Sequence, residues 1–229
     1  MVVRTAVMDE IIMRLVTQQG VDTVLNLAAG LDARPYRLDL PRELHWIDVD
    51  LEGILSYKEA ALAGEQPRCR VEFVRADLTN QAARRSLFQR AGAQAKRALV
   101  IAEGLLVYLK PEDVTSLAKD LSAQPAFRWW LIDLGSPALQ QFLSRTWGNQ
   151  LRAGNAAMLF FPEEGTAFFT PAGWGEAEYH PIFDEALRLR RAPKMAWVWR
   201  LLGLFASKKR RAQFKRFSGV VLLENDKGR

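Results

Sequence analysis

The residues best suited to do chemistry are acids that end apolar runs: Asp50 after His45-Trp46-Ile47-Asp48-Val49, Asp77 after Arg75-Ala76, and Glu103 after Ile101-Ala102. They would face the segment Asn26-Leu27-Ala28-Ala29-Gly30-Leu31-Asp32-Ala33-Arg34, where a short apolar run ends in small residues. Such a strand-to-helix turn lets backbone approach a ligand closely, with N–H groups aimed at it. Only Gly30 is present, so this is not the three-glycine dinucleotide fingerprint, and a pyrophosphate ligand is disfavoured. Asp50 lies about 20 residues past the turn, the separation at which a carboxylate accepts both hydroxyls of a ribose. Capping of a helix starting near Glu52 is the competing role for Asp48 or Asp50. Asp77 can accept the exocyclic amine of an adenine while the Leu78 N–H donates to the ring; capping of the next helix is its alternative. Glu103 leaves an apolar strand beside Gly104 and is costly to bury unpaired, so it faces a cleft or meets a cation, and a bound ammonium suits it.

Elements that could hold these acids together follow from the patterning. Apolar, β-branched runs alternate with helical patterns, which predicts an α/β fold: a parallel sheet with helices on both faces. Strands are expected at 22–27, 44–49, 71–75, 97–102 and 127–133, with a further strand near Glu178–Ile182 and a last one at Gly219–Glu224. An amphipathic helix should run to about Gly20, and others over Glu52–Gly64, Thr79–Ala91 with Thr79 as N-cap, and Pro111–Ser122 with proline at its start. Ser136-Pro137 opens another, and basic helices precede Phe217. The chain reads as one domain, 1–229, with an aromatic-rich insert at about 136–176. Trp147, Phe160, Phe161, Phe168, Phe169 and Trp174 there form either an acceptor pocket or a small core of their own.

Composition narrows the classes further. With 229 residues, 49% hydrophobic and 25% charged, the chain can bury one sizeable core. The single cysteine, Cys69, excludes an internal disulfide framework and is expected to pack as a small apolar group. His45 and His180 do not make a ligand cluster, so no metal site is proposed. No apolar stretch reaches the roughly 20 residues that cross a bilayer, and no N-terminal signal is apparent, so a cytoplasmic location is expected. The net charge of +6 is concentrated in Lys208–Arg216, which reads as a solvated helix face. Weak contact with an anionic surface is the other use of that stretch, and nucleic acid is disfavoured as a partner.

Taken in order, these motifs resemble the leucine carboxyl methyltransferase-type S-adenosylmethionine-dependent O-methyltransferases, in their polyketide-type bacterial branch. The resemblance rests on Arg4, on Leu27–Arg34 followed by Tyr36-Arg37-Leu38, on Trp46, Asp50 and Lys58, on Asp77-Leu78, and on Glu103, Gly104, Tyr108 and Leu109. It implies a class I methyltransferase Rossmann-like fold with a seven-stranded, mostly parallel sheet, and S-adenosylmethionine as cofactor. By the same resemblance Arg4 would face the methionine carboxylate, Ala28 and Gly30 would let the backbone pass close, Asp50 would hold the ribose, Asp77 and Leu78 the adenine, and Glu103 the methionine amino group. Ala28 stands where the family commonly has glycine, so the turn must tolerate a methyl group. Leu51 stands where the family usually has proline, a neutral change at a helix start. The chain begins three residues before Arg4, whereas the family usually carries a longer N-terminal segment.

The implied chemistry is in-line methyl transfer to a carboxylate or hydroxyl of a small molecule, catalysed mainly by positioning. An ionised carboxylate needs no base, while a phenol with pKa about 10 would benefit from one. His180, expected at a strand edge or surface, and Tyr108, expected to pack below the cleft, are possible helpers, and neither is assigned as a base. Two alternatives remain open: a catalytically silent interaction module with this fold, and a protein-carboxyl or nucleic-acid methyltransferase using the basic tail.

Overall fold

A computed structural model describes residues 2–153, 157–191 and 215–226 of the chain, with side chains left aside at 147–153. The expected basic stretch at 192–214, including Trp197, Leu201, Leu204, Phe205 and Lys208–Arg211, lies outside the described residues, as does the side chain of Trp147. Seven strands form one sheet: β1 (Thr23–Leu27), β2 (His45–Asp50), β3 (Arg70–Arg75), β4 (Ala98–Ala102), β5 (Phe127–Gly135), β6 (Trp174–Pro181) and β7 (Ser218–Asn225). Their order is β3-β2-β1-β4-β5-β7-β6. Strands β3, β2, β1, β4 and β5 pair in parallel, and β7 runs antiparallel between β5 and β6.

Alternation along the strands feeds two cores. Leu25 and Leu27 of β1 with Val100 and Ala102 of β4 pack on one face, against helices α4 (Gln81–Gln94) and α5 (Pro111–Ser122). Val24, Leu99 and Ile101 pack on the other, against α1 (Val2–Gln18). Successive strand side chains point to opposite faces, so a sheet buried on both sides reads as a continuous apolar run. In α1 the buried residues Val7, Met8, Ile11, Ile12, Leu15 and Val16 recur at helical spacing, and burial of each full aliphatic side chain is worth about 1.5–3 kcal/mol. The opposite face of α1 is left to its polar residues.

Several boundaries differ from those expected. Helix α3 runs Glu52–Ala61, three residues short of Gly64. Thr79 does not cap α4: its hydroxyl and N–H both donate to Asp77 Oδ1 at 2.7 and 2.9 Å, and Asn80 takes over, its Oδ1 accepting the Ala83 N–H at 3.1 Å. Strand β6 starts at Trp174 rather than near Glu178, and Ile182 opens α7 (Ile182–Arg188) instead of ending a strand. Ser136 does open α6 (Pro137–Ala153), its Oγ accepting the Leu139 N–H at 3.4 Å. The aromatic segment is divided between a cavity wall and the core: Phe168 lines a cavity of about 290 Å³ together with Ala118, Pro171 and Ala172. Phe160, Phe169 and Trp174 are buried in the same core as α4 and α5, where Trp130 packs at 5.4 Å from Phe169 and 5.6 Å from Trp174. Cys69 is buried as expected.

Candidate functional site

In an open parallel sheet, ligands bind beyond the strands' carboxyl ends where the strand order reverses, here between β1 and β4. Two adjoining cavities lie there and share Ala28. One, of about 190 Å³, is lined by Asp50, Leu51, Ala76, Asp77, Leu78, Leu105, Leu109 and Leu117, among others. The other, of about 530 Å³, is lined by Arg4, Asn26, Gly30, Asp32, Arg34, Arg37 and Glu103, among others. The first is mostly apolar with acids at its rim; the second sets the charged groups of Arg4, Asp32, Arg34, Arg37 and Glu103 among Ala28, Ala29, Leu31 and Ala33. Each of Arg4, Ala28, Gly30, Asp50, Asp77, Leu78 and Glu103 therefore lines one or both cavities.

The turn after β1 is held in a conformation costly for a side chain. Ala28 has φ 50° and Gly30 φ 51°, in the left-handed region, which costs an L-residue about 1–2 kcal/mol. Gly30 fits this freely, and a Cβ there would meet nothing within 4 Å. Ala28 sustains it because the turn is tied down. Asp50 Oδ2 accepts the Gly30 N–H at 2.7 Å, and Asp50 Oδ1 accepts the Leu51 N–H at 2.7 Å. Two lone-pair positions of the carboxylate remain for a ligand. Asp77 is exposed at the rim, and its two bonds from Thr79 hold its pKa below the usual carboxylate value.

Beneath the turn runs a connected polar chain. Lys58 and Asp48, both fully buried, pair at 2.7 Å. Asp48 Oδ1 also accepts from Trp46 Nε1 and Asn26 Nδ2, each at 2.9 Å, and Asn26 Nδ2 donates to Asp32 Oδ2 at 3.1 Å. Arg34, 2% exposed, donates to Asp32 at 2.7 Å, to Asp9 of α1 at 2.6 Å and to Glu103 at the tip of β4 at 2.7 Å. Burial alone would lower its pKa, but the Asp32 and Glu103 carboxylates and the Asp9 bond outweigh that and raise it. Arg4 completes the chain, with Nε to Glu103 at 2.9 Å and Nη1 to Asp133 of β5 at 2.8 Å. Asp133 also accepts the Gly104 N–H at 2.6 Å, fixing the turn where Gly104 has φ 68°.

Glu103 is thus not waiting alone for an ammonium: each of its oxygens already meets an arginine, which leaves one lone pair on each. Of the suggested helpers, Tyr108 does not pack below the cleft. It is 47% exposed on the 3-10 turn Leu106–Tyr108, where Leu106 turns inward in its place. His180 lies on the sheet-edge strand β6 between Glu178 and Glu185, at 3.0 and 3.3 Å, and lines neither cavity. The sequence reading gave no role to Asp9, Asp32, Arg34 or Asp133. The buried Asp48, with Lys58 ten residues on, was the available signal, because a carboxylate inside an apolar strand demands a partner.

The family model for leucine carboxyl methyltransferase matches residues 1–122, more than half the chain. The chain belongs to the leucine carboxyl methyltransferase family. A curated relative from Parafrankia sp. (strain EAN1pec), named an S-adenosyl-L-methionine-dependent methyltransferase, is 38% identical over 122 residues, covering 52% of this chain and 39% of its own length. The chain spans between 39% and 65% of the length of the first curated relatives it matches. Among solved structures, a DUF574 family protein from Streptomyces avermitilis superposes with TM-score 0.67 at 12% identity, covering 97% of this chain and 82% of that one. Magnesium protoporphyrin IX methyltransferase from Synechocystis PCC 6803, solved with bound SAH, superposes with TM-score 0.54 at 13% identity, covering 98% and 84%. At such identities the likeness is one of fold, and the fold is the class I methyltransferase sheet with its antiparallel β7.

Among the described residues no helix is long and apolar enough to cross a membrane, and no cluster of His, Cys, Asp and Glu could hold a metal ion. Of the expected basic run, Arg216 is described, and it is paired with both oxygens of Glu176 and packed over Tyr179 at 4.3 Å.

Proposed function

We propose that the protein is an S-adenosylmethionine-dependent O-methyltransferase that methylates a carboxylate or hydroxyl of a small molecule. The observation that carries this reading is the junction at Ala28 of an apolar cavity and a charged one, bridged by the Asp50–Gly30 bond. A ligand with a flat heteroaromatic base, a sugar diol and a zwitterionic amino acid matches those three environments in order. Leu105, Leu109 and Leu117 would sandwich the base, Asp50 would accept the diol, and Arg4 and Glu103 would meet the carboxylate and ammonium. When bound, the sulfonium supplies an activated methyl group. The chain's own task is then to orient the donor, exclude water and align an acceptor oxygen, which is catalysis by proximity. Acids around the cavities favour a cation there.

Family membership and the naming of relatives support the same reading. Calorimetric titration with S-adenosylmethionine and S-adenosylhomocysteine tests it. Both should bind, and Asp50→Ala, at the half-buried end of β2, should abolish binding while leaving the fold intact by circular dichroism. Absence of heat with either compound at millimolar concentration would refute it and leave the silent interaction module.

A further inference from the structure

Resting on that reading of the apolar cavity, we infer that Arg84 of α4 is a positioning residue that makes the cavity selective for adenine. Arg84 is 4% exposed and also lines the cavity. Its Nη1 donates to the Leu78 carbonyl at 3.1 Å, its Nη2 to Ser116 Oγ at 2.8 Å, and its Nε to Asp120 Oδ2 of α5 at 2.9 Å. Asp120 is itself gripped from the other side by Arg85 Nε at 2.8 Å. The guanidinium therefore spans two helices and the loop between β3 and α4, and a planar fork of fixed donors holds all three at once.

Consequences for the cavity wall follow from the backbone. The Asp77 carbonyl accepts the Asn80 N–H at 3.1 Å, and the Leu78 carbonyl is taken by Arg84. With both carbonyls occupied, Leu78 lines the cavity beside Asp77, and its N–H has no protein acceptor among the described hydrogen bonds. Leu78 is half-buried, and a backbone donor without a protein acceptor is available to a ligand. One donor beside one acceptor matches a ring nitrogen beside an exocyclic amine, and mismatches a base carrying a carbonyl and a ring N–H there. Asp77 and the Leu78 N–H do the reading, while Arg84 sets their angle.

The test compares S-adenosylhomocysteine with S-inosylhomocysteine, which differ in that amine, by calorimetry on the full chain and on Arg84→Lys. Lysine keeps the charge opposite Asp120 but cannot reach Leu78, Ser116 and Asp120 together. The unaltered chain should prefer the adenosyl compound by about tenfold or more, the worth of a matched hydrogen bond over a mismatched one. In Arg84→Lys that ratio should fall toward one. A residue that merely supported the fold would weaken both ligands alike and leave the ratio standing, which would overturn the inference. The double variant Arg84→Met/Asp120→Leu replaces the ion pair with apolar side chains, so that neither charge is left buried and unpaired. If it folds and retains the full preference, the inference also fails. Failure of the unaltered chain to bind either compound would instead sink the cofactor reading itself, and the inference with it.

Discussion

Replacing Lys58 with methionine would strand a carboxylate in the middle of the domain. Lys58 and Asp48 are 1% and 0% exposed, and their 2.7 Å contact is the only charged partner Asp48 has among the described residues. Removing one member of such a pair costs about 3–5 kcal/mol, which for a domain of this size lowers the melting temperature by about 6–20 °C. The pH dependence separates this cause from a simple packing defect. Burial is the largest influence on Asp48 and raises its pKa above 3.8, while Lys58, Trp46 and Asn26 oppose it. Without Lys58 the pKa rises further. Between the unfolded value and that raised value, the native variant holds a proton that the unfolded chain has released, so stability grows as pH falls through the window. The deficit of Lys58→Met should therefore be largest near neutrality and shrink on acidification, as followed by thermal denaturation monitored by circular dichroism at stepped pH. A loss below about 1 kcal/mol at neutral pH, or one that does not change with pH, would refute the account.

Other perturbations follow from the same geometry. Ala28→Gly should raise the melting temperature by about 1–4 °C, because relief of the left-handed alanine outweighs glycine's greater freedom in the unfolded chain; a drop would mean the methyl group packs favourably in the cleft. Arg34→Lys should cost about 2–3 kcal/mol in chemical denaturation, since one ammonium cannot meet Asp9, Asp32 and Glu103 together. Cys69, whose thiol is pushed up to about 11 by burial, should resist thiol reagents in the native protein and react promptly in denaturant.

Strands β1, β2, β4 and β5 were legible because each is largely buried on both faces and so appears as a mostly apolar run, and the edge strand β3 because Val71, Phe73 and Val74 are β-branched or aromatic. The start of β6 was hidden for the opposite reason. Trp174-Gly175-Glu176 sits on a sheet edge, with a register shift between Glu176 and Glu178, so neither period nor composition marks it. The acids at the strand tips could be read because a charge that ends a buried run has few places to go. Their partners could not. Arg4 lies 129 residues from Asp133, and Arg34 lies 25 from Asp9 and 69 from Glu103, and no local pattern encodes pairings that exist only after α1 has docked. Thr79 reads as the cap of α4 from sequence, and local competition decides otherwise, since the Thr79 hydroxyl is engaged by Asp77 before it can reach the helix.

The chain's charge of +6 says little about the ligand it would hold, because field strength at a site is set within a screening length. Asp32, Asp50, Asp77, Glu103 and Asp113 line the two cavities with Arg4, Arg34, Arg37 and Arg84, and Asp9 and Asp133 pair with those arginines, an excess of acid in a basic protein. The arginines do not cancel the acids so much as fix them. The guanidinium groups of Arg4 and Arg34 each bridge carboxylates from different elements, among them α1, the turn after β1 and the tips of β4 and β5, and Arg37 grips both oxygens of Asp9, so the negative groups are held still before any ligand arrives. Groups that need not reorganise stabilise a cation more than mobile ones do. By this argument the arginines contribute to cation binding through rigidity, and their loss would weaken a sulfonium ligand even though it removes positive charge from the site.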